Sequence, residues 1–241
     1  MNARHQSHIH AIRPKVLFKA IEERFPGQNI GFTVNIPSPD IGGMTLLESS
    51  VLVSLARLTG ALRFFEFGTF MGATTLLLAQ NSPAEAQVVT VDIGHVEATA
   101  ADNAEGVLRD GNVNDAYLRQ TFGAQGARCL TRADADTRAK VTQMFQDSTT
   151  LDVQQQGLAK RFDFIFIDGG HQYDIVRSDT EKAYDMASEN AVIVWHDYAS
   201  NIHADVTHFL QRHSQNHHLV HVENTMLVFE LLGKHRRLIG A

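Results

Sequence analysis

The sequence predicts an α/β fold, a doubly wound, seven-stranded, mostly parallel sheet with a C-terminal antiparallel strand. Three observations predict it. From Leu62 to Trp195, apolar runs of strand length alternate with segments of helical periodicity, the pattern of parallel βαβ units. Three of those runs end in carboxylates, at Asp92, at Asp168 and at His196-Asp197. Ligands of open α/β sheets bind outside the carboxyl ends of strands. The last two runs, Leu219–Val222 and Thr225–Leu231, are joined by Glu223-Asn224. So short a connection makes them antiparallel neighbours.

The chain has 241 residues, 44% of them hydrophobic, enough for one large domain with a full core. Lys plus Arg number 21 and Asp plus Glu 27, a net charge of −6. That balance argues against a broad nucleic-acid or membrane surface. The one cysteine, Cys129, excludes a disulfide framework or a thiolate zinc site within one chain and fits a reducing compartment. The first ten residues lack the apolar core of a signal peptide. No apolar run approaches the roughly 20 residues of a membrane helix. A cytoplasmic protein is expected. Its partner is a small-molecule acceptor, with no nucleic acid and no membrane, and a homo-oligomer stays open.

Residues 1–44 read as an N-terminal helical segment and loop, 45–232 as the main domain and 233–241 as a tail. Val16, Ala20 and Ile21 mark one face of a helix over 13–24. Pro and Gly make 35–44 a loop. Thr45, with Glu48 three residues on, is a capping box opening a helix that ends at Gly60. Strands follow at 62–67, 87–91, 141–145, 162–167 and 191–195. Helices are expected at 73–80, near 96–109, at 174–189 and near 203–213. Residues 110–139 are polar and weakly periodic; they read either as a lid over the site or as a surface insertion.

Glu66-Phe67-Gly68-Thr69-Phe70-Met71-Gly72 lies between the first strand and its helix. Gly68 permits a tight turn and close approach to a ligand, and Gly72 lets the helix start pack closely. Asp92 ends the next strand, where a carboxylate can take both hydroxyls of a ribose. The spacing is Gly-x-x-x-Gly, unlike the Gly-x-Gly-x-x-Gly of dinucleotide sites. Glu66 would welcome a cation and repel a pyrophosphate. The turn therefore favours S-adenosylmethionine, with its sulfonium and ammonium, over NAD.

On Glu66-x-Gly68-x-x-x-Gly72, Asp92, Asp147-Ser148, Asp168 and the closing strands, the chain resembles the class I S-adenosylmethionine-dependent methyltransferases. The resemblance implies a Rossmann-like methyltransferase fold. It implies a cofactor held by Glu66, Gly68, Thr69, Gly72, Asp92, Asp147 and Ser148, with Asp147 near the adenine. The stretches Phe164 to Tyr173, then Asp179, then Val194 to Tyr198 are similar to a subgroup of macrolide-sugar O-methyltransferases and cephalosporin-hydroxylase-like proteins. In that subgroup the residues matching Asp168 and Asp197 bind a divalent metal, and the residue matching His171 is the general base. His196 stands where the sugar enzymes have a carboxylate.

The residues speak for the same chemistry. Carboxylates leaving neighbouring strands lie about 4.8 Å apart and can share one cation. His196 beside Asp197 is a third ligand or a partner of the ligands, and an imidazole shifts the choice from Mg toward Mn, Fe or Zn. A protonated hydroxyl is a poor nucleophile, and histidine is the side chain whose pKa suits removing its proton. His171, three residues after Asp168, fits that role. The expected catalytic residues are thus His171 and Asp168, and the expected metal ligands Asp168, His196 and Asp197. Tyr173 and Tyr198 are candidates for the acceptor pocket. The phenylalanines of the strands and Trp195 are core. The terminal His5, His8 and His10 read as disordered, and His208, His213, His217, His218 and His221 as solvated. The rival readings are a redox-metal enzyme of hydroxylase type on the same fold, an NAD-dependent dehydrogenase, and a non-catalytic member.

Overall fold

The computed structural model describes residues 8–35, 43–93, 111–122 and 126–239. Its strands are β1 (His10–Ile12), β2 (Arg63–Phe67), β3 (Gln87–Asp92), β4 (Val141–Phe145), β5 (Phe162–Ile167), β6 (Ala187–Trp195), β7 (Val220–Val222) and β8 (Val228–Leu231). Its helices are α1 (Pro14–Arg24), α2 (Leu46–Thr59), α3 (Ala73–Asn81), α4 (Gly111–Phe122), α5 (Arg128–Thr131), α6 (Ala135–Ala139), α7 (Tyr173–Met186) and α8 (Ala204–His213). The helix expected near 96–109 and most of the 35–44 loop lie outside the described residues.

One eight-stranded sheet runs in the order β1-β7-β8-β6-β5-β2-β3-β4. Every neighbouring pair is parallel except β6 with β8 and β7 with β8. Side-chain alternation divides the core. Phe64, Phe164 and Phe166 face the side of α1, α2 and α3, while Phe65, Phe67, Ile165 and Ile167 face the side of α7 and α8. Strands buried on both faces read as continuous apolar runs, which is why β2 and β5 are so plain in the sequence.

Local chemistry sets the ends of α2. Thr45 Oγ1 accepts from the Glu48 N–H at 3.2 Å, and Glu48 Oε2 accepts from the Thr45 N–H at 2.8 Å. Gly60 closes the helix in a left-handed conformation. Glu48 does more than cap, since its Oε1 accepts from the Met226 N–H at 2.8 Å. That bond ties the start of α2 to the segment leading into β8.

The expected C-terminal antiparallel strand is β8, and it inserts between β6 and β7. Two expectations need correction. The sheet has an eighth strand, because His10–Ile12 pairs in parallel with β7. His10 is therefore in a strand rather than a disordered terminus. The helix expected over 174–189 stops at Met186 and passes directly into β6. Distant partners hold the polar start of β6: Ser188 Oγ donates to Asp163, and Asn190 accepts from the Lys234 N–H. Helical periodicity does not register such bonds.

Candidate functional site

Parallel pairing of β2 with β5 places Phe67 beside Ile167. Gly68 and Asp168 therefore leave the sheet together. Gly68 has φ +92°, and a Cβ on it would stand 2.2 Å from the Asp168 carbonyl oxygen. The close approach that needs a glycine is thus to the neighbouring strand end. At Gly72, with φ +76°, the crowding atom is Leu130 of α5 at 2.9 Å, not the strand. Asp92 Oδ2 accepts from the Phe70 N–H at 2.6 Å, steadying the turn from the next strand. Thr69 Oγ1 and Thr90 Oγ1 are hydrogen-bonded at 2.7 Å beneath it.

A cavity of about 650 Å³ opens at these strand ends, within the roughly 300–1,000 Å³ of small-molecule sites. Gly68, Thr69, Asp92, Asp147 and Ser148 line it, as do Asp168, His171, His196 and Asp197. Glu66 and Gly72 do not. Glu66 is buried on the α3 side, where it accepts from the Thr75 hydroxyl. Burial lifts its carboxyl to about 8, against the hydrogen bonds of Thr75 and Thr90. At neutral pH it is mostly protonated, so the charge that the turn promised a cation is not at the cavity wall. Other residues supply it. Asp92, Asp115, Asp147, Asp168 and Asp197 all line the cavity, and among the described residues no lysine or arginine does.

At the reaction end, His171 sits between two carboxylates. Its Nδ1 lies 2.7 Å from Asp115 Oδ1 and its Nε2 2.9 Å from Asp197 Oδ2. Burial disfavours the imidazolium, but the two carboxylates outweigh it and raise His171 to about 10. His203 stacks on the ring, centroids 3.8 Å apart. Parallel pairing of Ile167 with Trp195 brings His196 and Asp197 next to Asp168. His196 Nδ1 lies 3.2 Å from Asp168 and 3.3 Å from Asp197, and its Nε2 3.7 Å from Glu48. Despite burial, these carboxylates hold His196 well above the usual histidine value. Burial pushes Glu48 up, yet His196 and the N–H groups of Met226 and Thr45 hold it at about 2. Asp197 has a left-handed φ of 60°, a conformation Asp tolerates better than most residues.

The structure thus brings together Asp168, His171, His196 and Asp197. It places Tyr173 against Phe209 and Tyr198 against His221, not on the cavity. Asn114, Asp115 and Leu118 of α4, with Cys129 of α5, form one wall, so part of 110–139 covers the site. Asp115, His203 and the second role of Glu48 escape the sequence reading. Asp115 lies in a stretch without clear periodicity, 56 residues from its partner. Nothing local marks His203. Only the capping role of Glu48 has a local pattern.

A family model described as "Methyltransferase domain" matches residues 65–198. No curated protein matches the chain. Among solved structures, the chain is similar to the O-methyltransferase TomG from Streptomyces achromogenes, with 20% identity over 91% of this chain and 90% of that one and a TM-score of 0.52. It is also similar to a methyltransferase from Geobacter sulfurreducens, with 14% identity, coverage of 90% and 88%, and a TM-score of 0.50. At such identity these two show the fold, which agrees with the mostly parallel sheet and its inserted antiparallel strand. The matched family covers the carboxylate-bearing strand ends and the glycine turn: the chain belongs to the methyltransferase-domain family and is a class I S-adenosylmethionine-dependent methyltransferase.

Proposed function

We propose that the chain moves the methyl group of S-adenosylmethionine to a hydroxyl oxygen of a small polar acceptor. The observation that carries this is the wall of five aspartates, offset by His171 and His196 alone, with no lysine or arginine among the described residues. Such a wall favours a sulfonium and an ammonium and disfavours a pyrophosphate. TomG, the O-methyltransferase of similar fold, was solved with S-adenosylmethionine bound, which supports the same donor here. Asp92 takes the ribose hydroxyls, Asp147 and Ser148 the adenine end, and Gly68 and Thr69 the turn beside the methionyl part. Glu66 and Gly72 shape that turn from behind.

In the transfer, the acceptor oxygen forms a bond to the methyl carbon as the carbon–sulfur bond breaks. The electron pair stays on sulfur, and S-adenosylhomocysteine leaves. The acceptor's proton passes to the neutral form of His171, a minor form at pH 7 because the two carboxylates raise the ring to about 10, so the rate should climb with pH. Asp115 orients the ring through Nδ1, and Nε2 takes the proton in place of its contact with Asp197. Alignment of oxygen, carbon and sulfur supplies much of the rate. Asp168 and Asp197, with His196 beside both, offer a donor set suited to a divalent ion such as Mn²⁺ or Fe²⁺ more than Mg²⁺. Such an ion would neutralise Asp197 beside Nε2 and lower the acceptor's pKa. A second reading makes His171 itself a ligand. It rests on the donor atoms of Asp168, His171 and Asp197 lying within 4.8 Å of one another.

Calorimetry with S-adenosylmethionine, S-adenosylhomocysteine and NAD tests the proposal. Binding of the first two, with NAD far weaker, is expected. Tight NAD binding, or no binding of the methyl donor, overturns it.

A further inference from the structure

A second cluster of ligating side chains lies on the α7–α8 side of the sheet. His213 is the last residue of α8, His217 follows four residues on, and Glu230 is in β8. None of them lines the cavity. The two imidazole rings stack with centroids 3.9 Å apart. His217 Nδ1 lies 3.1 Å from Glu230 Oε2. The hydroxyl of Tyr184, from α7, lies 3.0 Å from His213 Nε2 and 3.0 Å from His217 Nδ1. It also donates to Glu230 Oε2. The donor atoms of His213, His217 and Glu230 all fall within 4.8 Å of one another.

The chemistry of the cluster suits a cation. The Glu230 carboxylate is 2% exposed, and the arginine paired with it, Arg236, stands 3.8 Å away with a side chain 63% exposed. The carboxylate's nearer partners, the Tyr184 hydroxyl and His217 Nδ1, bring it no fixed charge, so a divalent ion there would meet a buried carboxylate. His213 lies against Phe209 and Trp195, apolar surroundings that favour a neutral imidazole with a lone pair to give. Two imidazoles and a carboxylate are also the donor set that zinc-class ions take. Donors about 2.0–2.2 Å from such an ion stand roughly 3.3–3.6 Å apart in a tetrahedron. Among the three ligands, the 3.1 Å from His217 Nδ1 to Glu230 Oε2 needs to widen only slightly, and the separations to His213 lie within 4.8 Å. The rings must also unstack by turning about χ2, a soft torsion in histidine.

We propose that His213, His217 and Glu230 form a site for a zinc-class divalent ion, separate from the methyl-transfer cavity, with the Tyr184 hydroxyl as its fourth polar neighbour. Both rings bind in the neutral form, through Nε2 of His213 and Nδ1 of His217, with the ring proton on the other nitrogen. The ion would clamp α7, the end of α8 and β8 together, a structural role.

Co²⁺ is the probe, as a coloured stand-in for zinc. An Asp168→Asn protein removes a carboxylate of the cavity and leaves this cluster intact. That protein is expected to take up one Co²⁺ with the strong visible absorption of four-coordinate cobalt, and Zn²⁺ is expected to displace it. Adding His217→Ala should weaken uptake by about a hundredfold or more, since even outer-shell partners are worth roughly 10–100-fold. Circular dichroism checks the fold, and His213→Gln replaces His217→Ala if that variant does not fold. Absence of the absorption in the Asp168→Asn protein, or its survival after the histidine substitution, overturns the site.

Discussion

A Cβ on Gly68 would stand 2.2 Å from the carbonyl oxygen of Asp168. The glycine turn and the carboxylate-bearing strand end are thus one rigid unit. Gly68→Ala combines a backbone clash with a left-handed φ and should destabilise the protein by at least about 2 kcal/mol. Gly60→Ala is the control: φ is +67° but a Cβ there meets open space, so only the conformational cost of about 1–2 kcal/mol applies. Urea unfolding of both variants measures the difference. Equal midpoints for Gly68→Ala and wild type would refute the clash.

Glu66 makes stability depend on pH. Its carboxyl rises from 4.5 to about 8 on folding, chiefly through burial. Below the lower value the group is protonated in both states. Between the two, the unfolded chain releases its proton while the folded chain keeps it. Stability therefore falls with rising pH by up to about 1.4 kcal/mol per unit, and the loss is complete above the folded value. Glu66→Gln removes this dependence. Relative to wild type, the glutamine variant should gain about 2–3 kcal/mol between roughly pH 6 and pH 9. Parallel stability curves for the two proteins would show that Glu66 ionises normally.

In the proposed mechanism His171 takes the acceptor's proton and Asp115 orients its ring. His171→Ala should lower kcat by roughly 10²–10⁴-fold, with binding of the methyl donor unchanged. Asp115→Asn keeps the base and loses its orientation, so a smaller fall of about 10–100-fold is expected. KM for the donor should stay level, which separates a positioning effect from general damage. A near wild-type kcat in His171→Ala would leave the ring with a structural role alone.

Asp168 carries the metal question. In Asp168→Ala, stimulation by Mn²⁺ or Fe²⁺ should vanish while S-adenosylhomocysteine still binds by calorimetry. Turnover that is unchanged after exhaustive chelation of the wild-type protein would take the ion out of the mechanism.

What the sequence made legible was local or strongly patterned. The Thr45–Glu48 box was readable because both partners lie within one helical turn. Asp168 and Asp197 were readable because buried parallel strands announce their own ends. β1 was not, since three residues carry no period and its partner Val220 is far along the chain. The grip of Asp115 on His171 and the meeting of His217 with Glu230 have the same cause. Each is a contact made by topology between elements that no local sequence pattern links. Glu66 taught a different lesson. The sequence places it at the end of β2, but burial against Thr75 keeps its side chain off the cavity wall and decides its charge, and burial is a property of the folded chain.

The parallel pairing of β1 with β7 also bears on how the protein is made. β1 emerges during synthesis before every other described strand, yet its partner is among the last to appear. The centre of the sheet, β2 with β3 and β5, can assemble while the first strand still waits. Long-range pairings of this kind form late and slowly. Until β7 is made, the backbone N–H and C=O groups of His10–Ile12 lack the strand that pairs them in the folded chain.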